Sequence, residues 1–372
     1  MTIPPEVFEQ SLLKFLTPVR PFLDDASVSE IMINGPDTIF VERKGKLYLT
    51  DAKFSSREAL VAALRNLAQF VGRHVDEHRP ILEGRLPDGS RVEAVLPPAA
   101  PDGPMVAIRR FAKETLTMER LLNLGSMTRD ASQLLNAVVV VKQNIIVAGG
   151  TGSGKTSLLN ALTGYIPDDE RIVIIEDTRE VQCQQPHVVQ MEARPPDARG
   201  KGEVTIRDLF KATLRMRPDR IVVGEIRGAE SLDLVQAMTS GHGGCLATVH
   251  ATYPSDTVNR LETMAMMSDV EMPLRALRAQ IASAIDFIVQ TGRLRDGSRC
   301  VTHIAEVQDY DPDRGYRLEN VFERKFLGAD EHGVIQSELR ATGFIPKATE
   351  LLRGMGYDLP DAVIAASAVR EG

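Results

Sequence analysis

The sequence predicts an α/β protein in which a mostly parallel sheet carries a phosphate-binding loop and is preceded by a smaller α+β domain. Three observations predict it. From Thr128 onward, short apolar runs alternate with helical patterns, the order that builds parallel strands joined by helices. The run Val147-Ala148-Gly149-Gly150-Thr151-Gly152-Ser153-Gly154-Lys155-Thr156 fits the P-loop pattern G-x-x-x-x-G-K-[ST] and stands between an apolar strand and a helix. Ahead of it, short strands surround a single helix, the composition of a compact α+β unit.

Taken in order, residues 1–25 read as an amphipathic helix with Val7, Phe8, Leu12, Leu13, Phe15 and Leu16 at helical spacing, ended by Pro18 and Pro21. Strands are expected at residues 30–33, 38–41 and 46–49, separated by the turn signals Asn34-Gly35-Pro36 and Lys44-Gly45. Ser55 or Ser56 caps a helix through about Val71, with Leu60, Leu64, Leu67 and Val71 on its inner face. Further strands at 82–86, 91–96 and 105–110 complete a domain over residues 1–112. Residues 113–129 read as an interdomain linker, and 130–372 as the second domain with a C-terminal extension. In that second domain, strands are expected at 144–148, 171–175, 188–191, 220–223 and 246–249. After Asp286 only strands around 301–307 and 317–322 are legible.

Composition narrows the function classes. The chain has 372 residues, enough for two ordinary cores, and 43% apolar with 26% charged residues is the balance of a globular protein. No apolar run approaches the roughly 20 residues of a membrane span. The opening Met1-Thr2-Ile3-Pro4-Pro5-Glu6 lacks a basic segment followed by an apolar one, so a cytoplasmic location is expected. Cys183, Cys245 and Cys300 are far apart, which argues against a disulfide framework and a four-cysteine zinc module. A net charge of −7 carries no electrostatic footprint of a nucleic-acid binder, and nucleic acid is not an expected partner.

The chemistry concentrates around the loop. Its glycines let backbone N–H groups turn inward as a nest for a β-phosphate at the positive end of the following helix. Gly150, Thr151, Gly152, Ser153, Gly154, Lys155, Thr156 and Ser157 are therefore the nucleotide-binding candidates. Lys155 would place a point charge on the β/γ-phosphates, and the Thr156 hydroxyl would be a ligand of Mg²⁺. A P-loop also needs acidic partners. Glu176 and Glu225 each follow an apolar strand and would emerge at the same carboxyl edge of the sheet. In the stretch from Thr239 to Ala251, His242 and His250 are candidates for sensing a γ-phosphate or holding a carboxylate, with a purely structural role as the alternative.

The blocks GGTGSGKT, IIEDTRE, RPDRIVVGEIRG and SGHGGCLATVHA, in that order, resemble the secretion ATPase superfamily that powers type II and type IV secretion and type IV pili. The stretches LPDGSRVEAVLPP, LRAQIASAIDFIVQTGRLRDGSR and RATGFIPK look most like its CpaF-like branch, which drives tight-adherence (Tad) pili. The resemblance implies a RecA-like P-loop ATPase domain that uses ATP and Mg²⁺. It implies that Glu176 orients or deprotonates the attacking water, that Glu225 supports Mg²⁺ through water, and that His250 stands near the γ-phosphate. Arg91 and Arg109, with Arg85 as a further candidate, match strand arginines that reach the nucleotide in relatives; surface salt bridges are the alternative. It further implies a homo-hexamer, peripheral to the inner membrane, that works on an inner-membrane platform protein. Two departures matter: the N-terminal segment is shorter than is usual in the CpaF-like branch, and the four-cysteine insertion of type II relatives is missing, so no structural zinc is expected.

Competing readings separate on sequence features. The conjugation branch of the same superfamily shares these motifs. A RecA-like nucleic-acid translocase is disfavoured by the acidic balance and the lack of an aromatic and basic stripe. A GTPase would need N-K-x-D and an ABC ATPase L-S-G-G-Q, neither of which occurs. An inactive P-loop scaffold would require loss of Lys155, Glu176 or Glu225, and all are present.

Overall fold

The structure, a computed structural model, describes residues 12–43, 45–110, 116–197 and 200–371. The chain divides into two compact units, Met1–Glu114 with Pro196–Lys201, and Thr115–Pro195 with Gly202–Gly372.

The smaller unit is one antiparallel sheet: β1 (Val28–Asn34), β2 (Ile39–Arg43), β3 (Lys46–Leu49), β4 (Ile81–Arg85), β5 (Arg91–Val95) and β6 (Met105–Arg109), in the spatial order β3-β2-β1-β6-β5-β4. Period-two alternation decides which face is buried. Val41, Ile31, Ile108 and Val92 are cross-strand neighbours and all buried, forming one row of the core. Leu60, Ala63, Leu64 and Leu67 of the helix Arg57–Phe70 belong to the same core. Ser56 starts that helix, its hydroxyl accepting the Ala59 N–H at 3.1 Å.

The expected helix over residues 1–25 differs in outcome. Residues 1–11, with Val7 and Phe8, lie outside the described residues; residues 12–15 are helical, and a separate helix spans Arg20–Asp24. Pro21 sits in the first turn of that second helix and opens it instead of ending the first. The missing N–H of proline costs nothing there, because first-turn amides have no intrahelical acceptor.

The larger unit is built on a nine-stranded sheet of β7 (Ile145–Gly149), β8 (Ile172–Glu176), β9 (Val188–Glu192), β10 (Arg220–Val223), β11 (Leu246–His250), β12 (Phe287–Arg293), β13 (Arg299–Asp311), β14 (Gly315–Ala329) and β15 (Ile335–Ala341). The order is β15-β14-β13-β12-β7-β11-β10-β8-β9; strands from β12 to β9 run parallel, and β13 to β15 add an antiparallel wing. Helices cover both faces of the parallel part, so its strands are continuous apolar runs. Ile145 and Val147 face one core, with Leu134, Leu135, Leu158 and Leu162. Ile146 and Ala148 face the other, with Leu232, Val235, Leu261 and Ile281.

The stretch that reads as a linker is folded onto this unit from Met118 on. Thr117 caps the helix Met118–Asn123, and Met118, Leu121 and Met127 enter the core. The buried Arg324 guanidinium donates to the Ser126 carbonyl at 2.8 Å and to that of Val301 at 2.7 Å, holding the stretch to the antiparallel wing.

Asn144 ties the amino ends of the central strands together. Its N–H donates to Asp286 Oδ2 at 2.7 Å, its side-chain amide donates to the Ala284 carbonyl at 2.8 Å, and its Oδ1 accepts the Cys245 N–H at 3.0 Å. β7, β11 and β12 are thereby set level at their starts. Burial pushes the Asp286 carboxyl up to about 6, with the Asn144 amide opposing and Glu306 adding to the rise. A folded-state value above the unfolded one means that the native protein carries the cost of ionising Asp286 as pH rises from about 4 to about 6, and in full above that. Asp286→Asn, which keeps an acceptor for Asn144, removes this term. The variant's melting temperature relative to the parent is expected to be higher near pH 7.5 than near pH 4.5, by the equivalent of about 1–3 kcal/mol; a pH-independent difference would refute the assignment.

Candidate functional site

Parallel register lines up three residues at the carboxyl edge. Gly149 of β7 is the partner of His250 on β11 on one side and of Thr291 on β12 on the other. The chain leaves β7 here and enters the P-loop. A Cβ at Gly149 would lie 2.2 Å from Thr291 Oγ1 and 2.4 Å from Ser153 Oγ, so glycine is required by packing. The Ser153 hydroxyl lies 2.8 Å from both the Gly150 carbonyl and Thr291 Oγ1, and Thr291 Oγ1 lies 3.0 Å from the Ala148 carbonyl. Two hydroxyl protons thus serve three contacts, and β12 is stitched to the base of the loop.

The loop then turns through left-handed residues, Gly152 at φ +68° and Gly154 at φ +95°, before the helix Lys155–Thr163 begins. Arg299 Nε donates to the Gly152 carbonyl at 2.7 Å and braces the outside of this turn. Lys155 is only 8% exposed; its ammonium donates to the Gly149 and Gly150 carbonyls at 3.1 and 3.0 Å and lies 3.4 Å from the His250 ring. The arrangement is a glycine turn at a helix start with one lysine across it, which favours a phosphate chain.

The acidic residues converge on the same edge. Glu176 ends β8 and is 2% exposed; its Oε1 accepts the N–H groups of Glu180 and Val181 at 2.9 and 2.8 Å. Burial pushes its carboxyl up to about 7, the two amides opposing and the charges of Glu180 and Asp177 adding to the rise. Gly224 packs against it: a Cβ there would lie 2.7 Å from Glu176 Cγ. Just beyond, Glu225 is held between Arg227 and His250. Arg227 donates to Glu225 Oε2 at 2.6 Å and to Asp177 Oδ2 at 2.6 Å, while His250 Nε2 lies 2.7 Å from Glu225 Oε1. Burial lowers the proton affinity of His250, Lys155 pushes it the same way, and Glu225 opposes them.

Lys155, Thr156, Glu176, Glu225 and His250 are therefore gathered at one edge of the larger unit. The carboxylate beside Thr156 is that of Glu180, with Oε2 3.5 Å from the hydroxyl, while Glu225 is engaged by Arg227 and His250. His242 lies at the other end of β11, before the strand starts, and is not part of the group. Arg85, Arg91 and Arg109 belong to the smaller unit, where they are cross-strand partners in one row over β4, β5 and β6. Arg91 is 3.8 Å from Glu83. Such a row of like charges opposes pairing unless acids or a ligand offset it. Sequence reasoning missed Arg227, Glu180 and Thr291. Arg227 and Glu180 stand inside the quoted blocks, two residues after Glu225 and four after Glu176, a spacing that signals loop neighbours; Thr291 has no local signal, because only strand pairing places it.

Fold and site together define a P-loop protein with helices on both faces of a parallel sheet. The chain belongs to the Type II/IV secretion system protein family, whose profile matches residues 13–321. The conjugal transfer protein TrbB of Rhizobium radiobacter is 34% identical over 293 residues, covering 77% of this chain and 86% of that protein. The type IV secretion system protein PtlH of Bordetella pertussis is 34% identical over 303 residues, covering 75% of this chain and 89% of that one. Among solved structures, the Legionella pneumophila ATPase DotB superposes with a TM-score of 0.56 at 20% identity, covering 81% of this chain and 82% of that one. The pilus retraction motor PilT with bound ADP gives 0.56 at 17%, covering 95% and 88%. These last two show the fold.

Thr291→Val keeps the shape of the side chain but removes the hydroxyl between Ala148 and Ser153. It is expected to destabilise the larger unit by about 1–2 kcal/mol, read as a lower denaturant midpoint with unchanged slope. An unchanged midpoint would show that the hydroxyl contacts contribute nothing.

Proposed function

We propose that this chain is a Mg²⁺-dependent ATP hydrolase that works as a hexameric motor of a secretion or pilus machine. The observation that carries the reading is the convergence of Lys155, Glu176, Glu225 and His250 around one glycine nest at the carboxyl edge of β7, β8, β10 and β11. The nest and helix start bind the phosphates, and Lys155 exchanges its loop carbonyls for phosphate oxygens. Glu176, with a proton affinity near neutrality, is matched to take a proton from an attacking water. His250, kept mainly neutral between Lys155 and Glu225, senses the terminal phosphate and passes its position to Glu225, Arg227 and Asp177.

Thr156 and Glu180 place hard oxygen donors side by side at the start of the helix, which fits Mg²⁺, an ion that keeps several waters and takes few protein ligands, with Glu225 acting through water. Bound there with the nucleotide, it would neutralise charge on the β- and γ-phosphates. No helix among the described residues is long and apolar enough to cross a membrane. We place the protein in the cytoplasm, working peripherally on an inner-membrane platform protein in the manner of the CpaF-like branch that assembles Tad pili.

A second reading, the motor of a conjugation-type secretion system, is favoured by the curated relatives, among them the conjugal transfer protein TrbB. The neighbouring genes separate the two: a pilin and two platform proteins, or a relaxase and a coupling protein.

ATP turnover by Lys155→Ala and Glu176→Gln tests the site. Both should lose at least about a hundredfold, Lys155→Ala with loss of ATP binding and Glu176→Gln with binding retained. Undiminished turnover in both would remove the proposed site.

A further inference from the structure

A cleft of about 590 Å³ opens beside the P-loop, and its walls include Gly150, Thr151, His250, Asn259, Arg260 and Thr263. Its place along the phosphate path follows from the loop. The Lys155 ammonium, which reaches β- and γ-phosphates in such loops, lies against the Gly149 and Gly150 carbonyls and the His250 ring. The cleft therefore adjoins the terminal-phosphate end of the nest and not the Thr156 end.

The cations around it are in different situations. Lys155 donates to loop carbonyls, and Arg227 is divided between Asp177 and Glu225. Arg260, on the helix Pro254–Ala265, has no hydrogen bond or ion pair with any described residue. Its charge nevertheless reaches the site, since it is among the groups that lower the proton affinity of His250. Asp256, one turn earlier on the same helix and also in the cleft, is occupied as the helix cap, accepting the Tyr253 N–H at 3.1 Å.

The platform under Arg260 is rigid. Thr257, Val258, Leu261 and Met264 of the same helix are buried in the core, and Glu262 is pinned by Arg278 through bonds of 2.8 and 3.0 Å. An uncompensated guanidinium on a fixed helix, facing a cleft with Asn259 and Thr263 beside it, is arranged to meet an anion.

We propose that Arg260 is a specificity residue that contacts the terminal phosphate of a bound nucleoside triphosphate and so separates triphosphate from diphosphate. A diphosphate ends inside the nest, over Lys155 and the loop amides. A third phosphate extends to the cleft, where Arg260 is the cation without a counter-charge. The inference rests on the nucleotide reading of the P-loop.

The test is equilibrium binding of ADP and of a non-hydrolysable ATP analogue to the full chain, for the parent, Arg260→Ala, Arg260→Lys and Lys155→Ala, with the sedimentation coefficient recorded in each case. Arg260→Ala should weaken the triphosphate analogue about tenfold and leave ADP within about twofold, and Arg260→Lys should recover part of the loss. An unchanged ratio of the two affinities in Arg260→Ala, or equal weakening of both nucleotides, overturns the inference while the nucleotide reading stands. A ratio that changes only together with the sedimentation coefficient assigns Arg260 to a contact between copies, and overturns it too. A parent that binds neither nucleotide, or a Lys155→Ala variant that binds both as the parent does, removes the nucleotide reading and the inference with it.

Discussion

The site depends on the level alignment of β12, β7 and β11. Parallel pairing sets Thr291, Gly149 and His250 side by side, and the Asn144 bonds to Ala284, Asp286 and Cys245 hold the same strands level at their other ends. A slip of one residue between β7 and β11 would turn His250 to the other face and take its ring away from Lys155. A slip against β12 would remove the hydroxyl that reaches Ala148 and Ser153. The glycine at position 149 is the counterpart of this alignment, since the space for its Cβ is filled by the Thr291 and Ser153 hydroxyls.

Electrostatics then divides the site into two parts. On one side lies a backbone nest crossed by Lys155, whose charge is placed against carbonyl oxygens and a neutral ring. On the other lies a chain of charges running Asp177, Arg227 and Glu225, which ends on the His250 ring. Ionised groups this close to the core persist only when paired, and Arg227 does that for two carboxylates at once. Glu176 has no cation partner among the described residues, and burial raises its proton affinity against the pull of two amides, while burial and Lys155 lower that of His250. A carboxyl and an imidazole whose affinities are driven in opposite directions are suited to different roles in one reaction.

The core strands were legible because burial on both faces writes itself into composition. Residues 145–148 and 172–175 are continuous apolar runs and 246–249 is broken only by Thr248, and the structure places strands there to within a residue or so. The antiparallel wing was legible only in part: the strands expected around 301–307 and 317–322 lie inside β13 and β14, while their full length and β15 were not read. β14 carries Arg317, Glu319, Glu323, Arg324 and Lys325, is largely exposed toward its end, and has breaks in register with both neighbours, so no clean alternation survives. β12 was missed as a strand although Phe287, Ile288 and Val289 are fully buried, because a short apolar run after a helix reads equally as the helix continuing. The same ambiguity hid the role of Pro21, which can end one helix or open the next.

The sequence by itself determined that a phosphate nest exists and which residue types surround it. Glycines at fixed offsets, a lysine and a threonine at a helix start, and acids after apolar strands act within a few residues of one another, over distances that local backbone geometry dictates. Tertiary structure decided how these pieces are partnered. Glu180 rather than Glu225 lies beside Thr156, Glu225 is engaged by Arg227 and His250, and Thr291 from well over a hundred residues downstream closes the base of the loop. Such pairings depend on strand order and register, which arise from non-local packing and leave no mark in the spacing of the residues that they join.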